Sequence, residues 1–158
     1  MPALDRFDVR ILEALQVNAR VTHADLAGRI NLSPSQVSRR IQKLEEEGYI
    51  NGQVAILNAD SLGLGVVAYV TIVMRSHAEA QIKAFRERLL RLPEVQECFK
   101  LTGDADYMLR IITSDLQSYN RILTEYLLKA AEVAAVRSGI VLEQVKRTTA
   151  LPLPKAKS

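Results

Sequence analysis

Residues 32–50 read LSPSQVSRRIQKLEEEGYI, and this stretch contains the clearest structural signals in the N-terminal part of the chain. Ser33 can cap a helix, and Gln36, three residues later, can bond back to it as in a capping box. Pro34 then occupies the first helical position, where its missing N–H group costs nothing. Gly48 suits the helix end, because glycine readily takes the left-handed conformation found there. The stretch therefore predicts a helix that begins at Pro34 and ends before Gly48.

The two faces of this helix differ in chemistry. At about 100° per residue, Val37, Ile41 and Leu44 fall on one side and are expected to face the core. The opposite side has no acid before Glu45, and its side chains are of the kinds that bind base edges and phosphates in a major groove. A solvated surface helix is also polar, so polarity alone fits either interpretation. The candidate DNA contacts are Ser33, Ser35, Gln36, Ser38, Arg39, Arg40, Gln42 and Lys43.

Two further helices are predicted ahead of this one. Apolar residues at helical spacing predict a helix over residues 4–17, and Thr22 can cap a second helix that ends at Ile30. Only residues 31–33 separate the second helix from the third, and such a short connection is typical of a helix-turn-helix. After the third helix, residues 49–57 contain Asn-Gly between apolar segments, which predicts a hairpin that would form a wing.

A second domain is predicted beyond a linker. Residues 58–65 are rich in polar residues and glycine, which is typical of a connection. The apolar patterns that follow alternate between strands and helices in the order βαββαβ, the ferredoxin-like arrangement. Strands are expected over 66–74, 95–101, 107–113 and 140–145, and helices over 77–91 and 116–134.

The ferredoxin-like arrangement covers only one face of its sheet with helices. The first strand, 66–74, is apolar at nearly every position, which is typical of a strand buried on both faces. A second subunit is the expected cover for the open face, so the sequence predicts a homodimer. A twofold dimer would also present two recognition helices to two DNA half-sites.

Composition and charge exclude several classes. The net charge is +3, but residues 1–60 hold seven basic and eight acidic side chains, so bulk charge does not indicate DNA. No apolar run is long enough to span a membrane, and no signal peptide is visible, so we expect a cytoplasmic protein. Cys98 is expected to be a buried strand residue. No catalytic, metal-binding or cofactor-binding motif is present, so we expect neither an enzyme nor a cofactor or metal.

The loop at 102–106 reads Thr-Gly-Asp-Ala-Asp and has its own chemistry. Gly103 can expose backbone N–H groups to a carboxylate, and Asp104 or Asp106 can bind an ammonium group. These are the two charged groups of a free amino acid. Gly-Asp is also ordinary in a hairpin turn, so the residues alone fit a plain turn equally well.

Residues 4–12 and 32–50 resemble the DNA-binding part of the Lrp/AsnC family of transcription regulators, and residues 102–107 are similar to the loop of its effector domain. The resemblance implies an α+β chain: a winged helix-turn-helix over 1–57, a linker over 58–65, a ferredoxin-like domain over 66–148 and a basic tail over 149–158.

The family also implies a regulator of transcription that binds double-stranded DNA, forms oligomers up to octamers and binds amino-acid effectors between dimers. An architectural DNA-binding protein without an effector is the alternative, since the basic tail would suit one. The effector contacts implied are Leu101, Thr102, Gly103, Asp104, Asp106, Tyr107 and Ser138.

Overall fold

The computed structural model describes residues 4–154. These residues form two compact units: 4–56 together with 146–154 make the first, and 57–145 make the second. The chain thus leaves the first unit once and returns to it near its C-terminal end. No helix within the described residues is long and apolar enough to cross a membrane.

The first unit is built on three helices: the second and third begin directly after the predicted capping residues Thr22 and Ser33, and the first is capped by Asp5. Helix α1 spans Arg6–Val17, α2 spans His23–Ile30 and α3 spans Pro34–Glu46. The Thr22 hydroxyl accepts a hydrogen bond from the backbone N–H of Asp25 at 3.1 Å. Such caps satisfy N–H groups that have no partner inside a helix, so the local sequence decides where each helix starts.

The three helices enclose a small apolar core. Leu26 and Val37 are completely buried in it, and Leu153 from the C-terminal segment packs against its edge. Each such side chain contributes roughly 1.5–3 kcal/mol relative to an exposed one, so this core is the main source of the unit's stability. Its buried members are Ile11, Leu12, Leu26, Ala27, Ile30, Val37, Ile41 and Leu44.

The helix-turn-helix is present as α2 and α3, but the hairpin predicted over residues 49–57 is wrong. The structure assigns no strand to these residues, and Val54, Ile56 and Leu57 are all exposed. Only Tyr49 and Ile50, at the start of this stretch, pack against the helical core, and a two-stranded hairpin with so little support is marginally stable in water. The apolar pattern alone is therefore not enough to form it.

The second unit confirms the predicted α+β fold class. Its elements are β1 (Val66–Met74), α4 (Glu79–Leu90), β2 (Val95–Lys100), β3 (Tyr107–Thr113), α5 (Leu116–Ile122) and β4 (Val133–Ile140). The four strands form one sheet in the order β2-β3-β1-β4, and every neighbouring pair is antiparallel. This is the strand order of the ferredoxin-like arrangement. One turn of 3-10 helix, Asp60–Leu62, lies in the segment before β1.

The two faces of the sheet are buried to different degrees. On one face Ala68, Val70 and Ile72 are completely buried in a core that includes side chains of α4 and α5. On the opposite face, which we call the open face, Tyr69 is 40% exposed and Phe99 is 46% exposed. Because successive residues of a strand point to opposite sides, the apolar positions of β1 serve both faces.

The C-terminal part of the second unit differs from the sequence-based prediction. Helix α5 continues as a π-helical segment, Leu123–Leu128, and ends well before residue 134. The strand predicted over 140–145 is also wrong, because β4 spans Val133–Ile140. Alanines at 134 and 135 favour a helix locally, but pairing with β1 overrides this preference.

Candidate functional site

The turn between α2 and α3 sets the position of α3. Asn31 takes a left-handed backbone conformation with φ of 57°, which asparagine tolerates better than most residues. The N–H of Leu32 donates to the carbonyl of Ala27 at 3.1 Å and closes α2. Ser33 and Gln36 then form the predicted capping box, with N–H···O distances of 3.2 and 2.9 Å. Polar groups of both residues are therefore used to start α3.

The outer face of α3 is exposed and polar. Arg39 makes no side-chain hydrogen bond or ion pair with any other residue of 4–154. Lys43 lies 3.6 Å from Glu47, an exposed pair of a kind that contributes only about 0.3–0.5 kcal/mol and that a phosphate could displace. The exposed candidates on this face are Ser33, Ser35, Gln36, Ser38, Arg39, Gln42 and Lys43.

Arg40 differs from these candidates because it is bound to α1. Its Nη1 lies 2.8 Å from Asp5 Oδ2 and 2.6 Å from Asp8 Oδ1, and its guanidinium lies 5.3 Å from the centre of the Phe7 ring. Arg40 was predicted to contact DNA because a helical wheel shows which side of the helix a residue is on. The wheel does not show how far a long side chain can extend toward a neighbouring helix. In the structure Arg40 joins α3 to α1 through its ion pairs with Asp5 and Asp8. Its guanidinium is therefore not free in the way that the Arg39 guanidinium is.

This ion-pair cluster changes the acidity of its members. Partial burial alone raises the pKa of Asp5, but hydrogen bonds from Asp8 N–H, the Arg40 guanidinium and Phe7 N–H together hold that pKa below its ordinary value. Burial lowers the pKa of Arg40, while the hydrogen bonds to Asp8 and Asp5 outweigh it and raise the pKa overall. Both groups are therefore charged at neutral pH.

The predicted effector loop, residues 102–106, is closed at its base by a hydrogen bond from Leu101 N–H to the carbonyl of Asp106 at 2.8 Å. Gly103 has a φ of 109°, a conformation that favours glycine. None of the backbone N–H groups of residues 102–104 donates to another described residue. Thr102, Gly103 and Asp104 are all exposed. The tip of the loop therefore presents free donors beside one free carboxylate.

Asp106 has a different position from Asp104. Its Oδ2 accepts the N–H of Met74 at 2.7 Å, and its Oδ1 lies 2.6 Å from His77 Nε2. The hydrogen bond with His77 and that from Met74 N–H hold the pKa of Asp106 below its ordinary value. Asp106 thus fixes the loop to the end of β1, and the sequence could not show this because His77 is far away along the chain.

The remaining effector candidates are spread over the sheet. Tyr107 is buried, its ring centre lies 5.0 Å from that of Phe85, and its hydroxyl has no hydrogen-bond partner among the described residues. Ser138 is exposed on β4, and β1 separates it from β3 in the sheet. Cys98 lies on β2 as predicted, but it is exposed rather than buried.

Each of the two units matches a known protein family. Residues 4–51 match a winged helix-turn-helix DNA-binding family, and residues 67–151 match the Lrp/AsnC ligand binding domain. The chain belongs to the Lrp/AsnC family. It is accordingly a transcription regulator that combines a DNA-binding helix-turn-helix with a ligand-binding domain.

Relatives of this Lrp/AsnC regulator match it over nearly its whole length. The Bkd operon transcriptional regulator of Pseudomonas aeruginosa is 38% identical over 153 residues, which cover 97% of this chain and 100% of the relative. The leucine-responsive regulatory protein of Escherichia coli is 34% identical over 148 residues, which cover 94% of this chain and 90% of the relative.

Solved structures of the family have the same fold. A transcriptional regulator from Neisseria meningitidis in complex with L-Met superposes with a TM-score of 0.90 at 35% identity, covering 95% of this chain and 97% of that one. An AsnC family regulator from Agrobacterium tumefaciens gives a TM-score of 0.88 at 38% identity, covering 94% and 97% of the two chains.

Proposed function

We propose that this Lrp/AsnC regulator is a cytoplasmic homodimer, without catalytic activity, that binds operator DNA through α3 and a free amino acid at the loop 102–106. The observation that carries the proposal is the free outer face of α3. Arg39 and Lys43 are exposed there, while the neighbouring Arg40 is held by Asp5 and Asp8. The unpaired Arg39 and the Lys43 whose only ion pair is the weak one with Glu47 are the groups needed to bind a guanine edge and a phosphate.

Arg39→Ala is expected to weaken operator binding by about 2 kcal/mol, or roughly thirtyfold, because arginine commonly reads a guanine edge. Lys43→Ala is expected to weaken specific and non-specific binding about equally and to reduce the salt slope by about one, since it contacts phosphate. Fluorescence anisotropy at fixed salt, with an operator found by genomic footprinting and a scrambled duplex, measures both. Lys83→Ala, an exposed cation on α4, is the control. An unchanged operator affinity for Arg39→Ala contradicts the placement of α3.

An amino acid is the effector class that the loop favours. The free N–H groups around Gly103 can bind a carboxylate, and the exposed Asp104 can bind the ammonium group. A relative is named leucine-responsive, and the Neisseria meningitidis regulator was solved with L-Met. Binding between dimers would allow the effector to shift the assembly, since a ligand shifts an equilibrium only when it binds the two states unequally.

The two aspartates of the loop are expected to respond differently to the same substitution. Asp104→Asn removes the charge that faces the ammonium group and should weaken effector binding at least about tenfold. Asp106→Asn keeps an oxygen that can accept the N–H of Met74, so the loop should keep its shape and binding should fall much less. Calorimetry with the twenty amino acids on wild type and both variants makes the comparison. If wild type and Asp104→Asn bind the amino acid equally well, the effector does not bind at this loop.

A further inference from the structure

The C-terminal segment 146–154, which we call the strap, is bound to the first unit by a two-point clamp. The side-chain amide of Gln16, near the end of α1, donates from Nε2 to the carbonyl of Leu151 at 3.2 Å. The N–H of Leu151 donates to Gln16 Oε1 at 2.5 Å. An amide side chain that satisfies both backbone groups of one residue fixes the position and direction of an extended peptide.

Apolar contact adds to this clamp. Leu153 is half-buried and packs against the core of the first unit, whereas Leu151 is 72% exposed. Leu153 therefore binds the first unit through its side chain, whereas Leu151 binds it through its backbone. Pro152 and Pro154 follow them, and proline restricts the backbone and removes an N–H group that would otherwise need a partner. The strap is thus a short segment that loses little conformational entropy when it docks.

The course of the chain connects this contact to the ligand-binding part of the protein. The match to the Lrp/AsnC ligand binding domain runs from residue 67 to 151, so the clamped residue is the last one of that match. The same residue lies in the compact unit that contains the DNA-binding helices. The DNA-binding unit is therefore connected to the second unit at two places in the chain, after residue 56 and before residue 146.

We propose that the docked strap is a second tether that restricts the DNA-binding unit, and that the docked state is the one that binds operator DNA. This inference rests on the operator binding proposed above. A single flexible linker leaves a domain free to reorient, and a second attachment reduces that freedom. A dimer that must place two recognition helices on two half-sites gains affinity when each is held in position.

Three variants of the full-length chain test the docking. Leu153→Asp places a charge at the edge of the core, and Leu151→Pro removes the N–H that donates to Gln16. Both are expected to weaken operator binding about tenfold. Leu151→Ala is the matched control: it shortens the exposed side chain, keeps the backbone clamp and should bind as wild type. Hydrogen exchange at residue 151 and along α1 reports docking independently of DNA, with faster exchange expected for Leu153→Asp.

A fourth variant separates a tether from a merely stabilising contact. Insertion of Gly-Ser-Gly-Ser between Val145 and Lys146, which are both exposed, lengthens the tether without touching the clamp. Exchange protection at residue 151 should stay at the wild-type level, while operator affinity should fall on the order of fivefold. Wild-type operator affinity for this insertion or for Leu153→Asp overturns the proposal. Failure of wild type itself to bind any operator would instead refute the proposed function, and hydrogen exchange would still report the docking.

Discussion

The double variant Tyr69→Asp/Phe99→Asp is expected to be a folded monomer that binds operator DNA on the order of a thousandfold more weakly than wild type. Both residues lie on the open face of the sheet, at 40% and 46% exposure, where Tyr69 is opposite the half-buried Arg110 and Phe99 is opposite the half-buried Met108 of β3. Aromatic residues exposed together on one face are typical of a surface that another subunit covers. Two carboxylates placed there would have to be taken out of water when a second subunit covers the face, which is costly.

The loss of affinity follows from the loss of one recognition helix per complex. A dimer binds the second half-site as an intramolecular event, and a monomer cannot. Analytical ultracentrifugation gives the assembly, circular dichroism checks that the variant is folded, and anisotropy gives the operator affinity. Leu90→Asp, at an exposed leucine on α4, is the control and should remain dimeric. A double variant that sediments like wild type would show that the open face is not the dimer interface.

Arg40→Ala is expected to lower the free energy of unfolding of the first unit by about 3 kcal/mol. The Asp8 side chain is only 9% exposed, so removal of its cation leaves a nearly buried carboxylate without a charged partner. Arg39→Ala is the matched control, because it removes the same type of side chain from the same helix at an exposed position. It should change stability by less than about 0.5 kcal/mol. Chemical denaturation of the full-length variants compares the two.

The same ion-pair cluster gives the comparison a pH dependence. The pKa of Asp5 is below its ordinary value in the folded state, so its contribution to stability is present above the ordinary pKa and is lost as the pH falls through the lowered one. The difference in stability between wild type and Arg40→Ala should therefore shrink in acid. Equal stability of Arg40→Ala and wild type at neutral pH would mean that Arg40 does not hold α3 to α1.

Local signals explain why the DNA-binding helices could be predicted from the sequence. The caps at Thr22 and Ser33 and the short turn at 31–33 act within a few residues, so a linear pattern contains them. The same holds for β1 and β3, whose predicted bounds match the structure. Strand β4 was misplaced because its alanines favour a helix until they pair with β1, a contact that no local pattern contains.

In the candidate sites too, local features could be predicted from the sequence, whereas contacts between residues far apart in the chain could not. The polarity of the outer face of α3 follows from its spacing, but the pairing of Arg40 with Asp5 and Asp8 joins residues more than thirty positions apart. The loop at 102–106 is visible as a composition, but the attachment of Asp106 to Met74 and His77 is not. The docking of the strap on Gln16 spans almost the whole chain, at a sequence separation of 135. Contacts between residues so far apart in the chain can be identified only from the three-dimensional structure.

We propose that this Lrp/AsnC regulator binds a small number of operators with an affinity that a free amino acid controls. Genomic footprinting with and without each of the twenty amino acids measures both the number of operators and the effect of the amino acid. We expect a few sharp sites whose occupancy changes with one amino acid or a related group, and no such change for Asp104→Asn. Widespread weak binding without sharp sites, unaltered by every amino acid, would contradict this proposal and would favour an architectural DNA-binding protein.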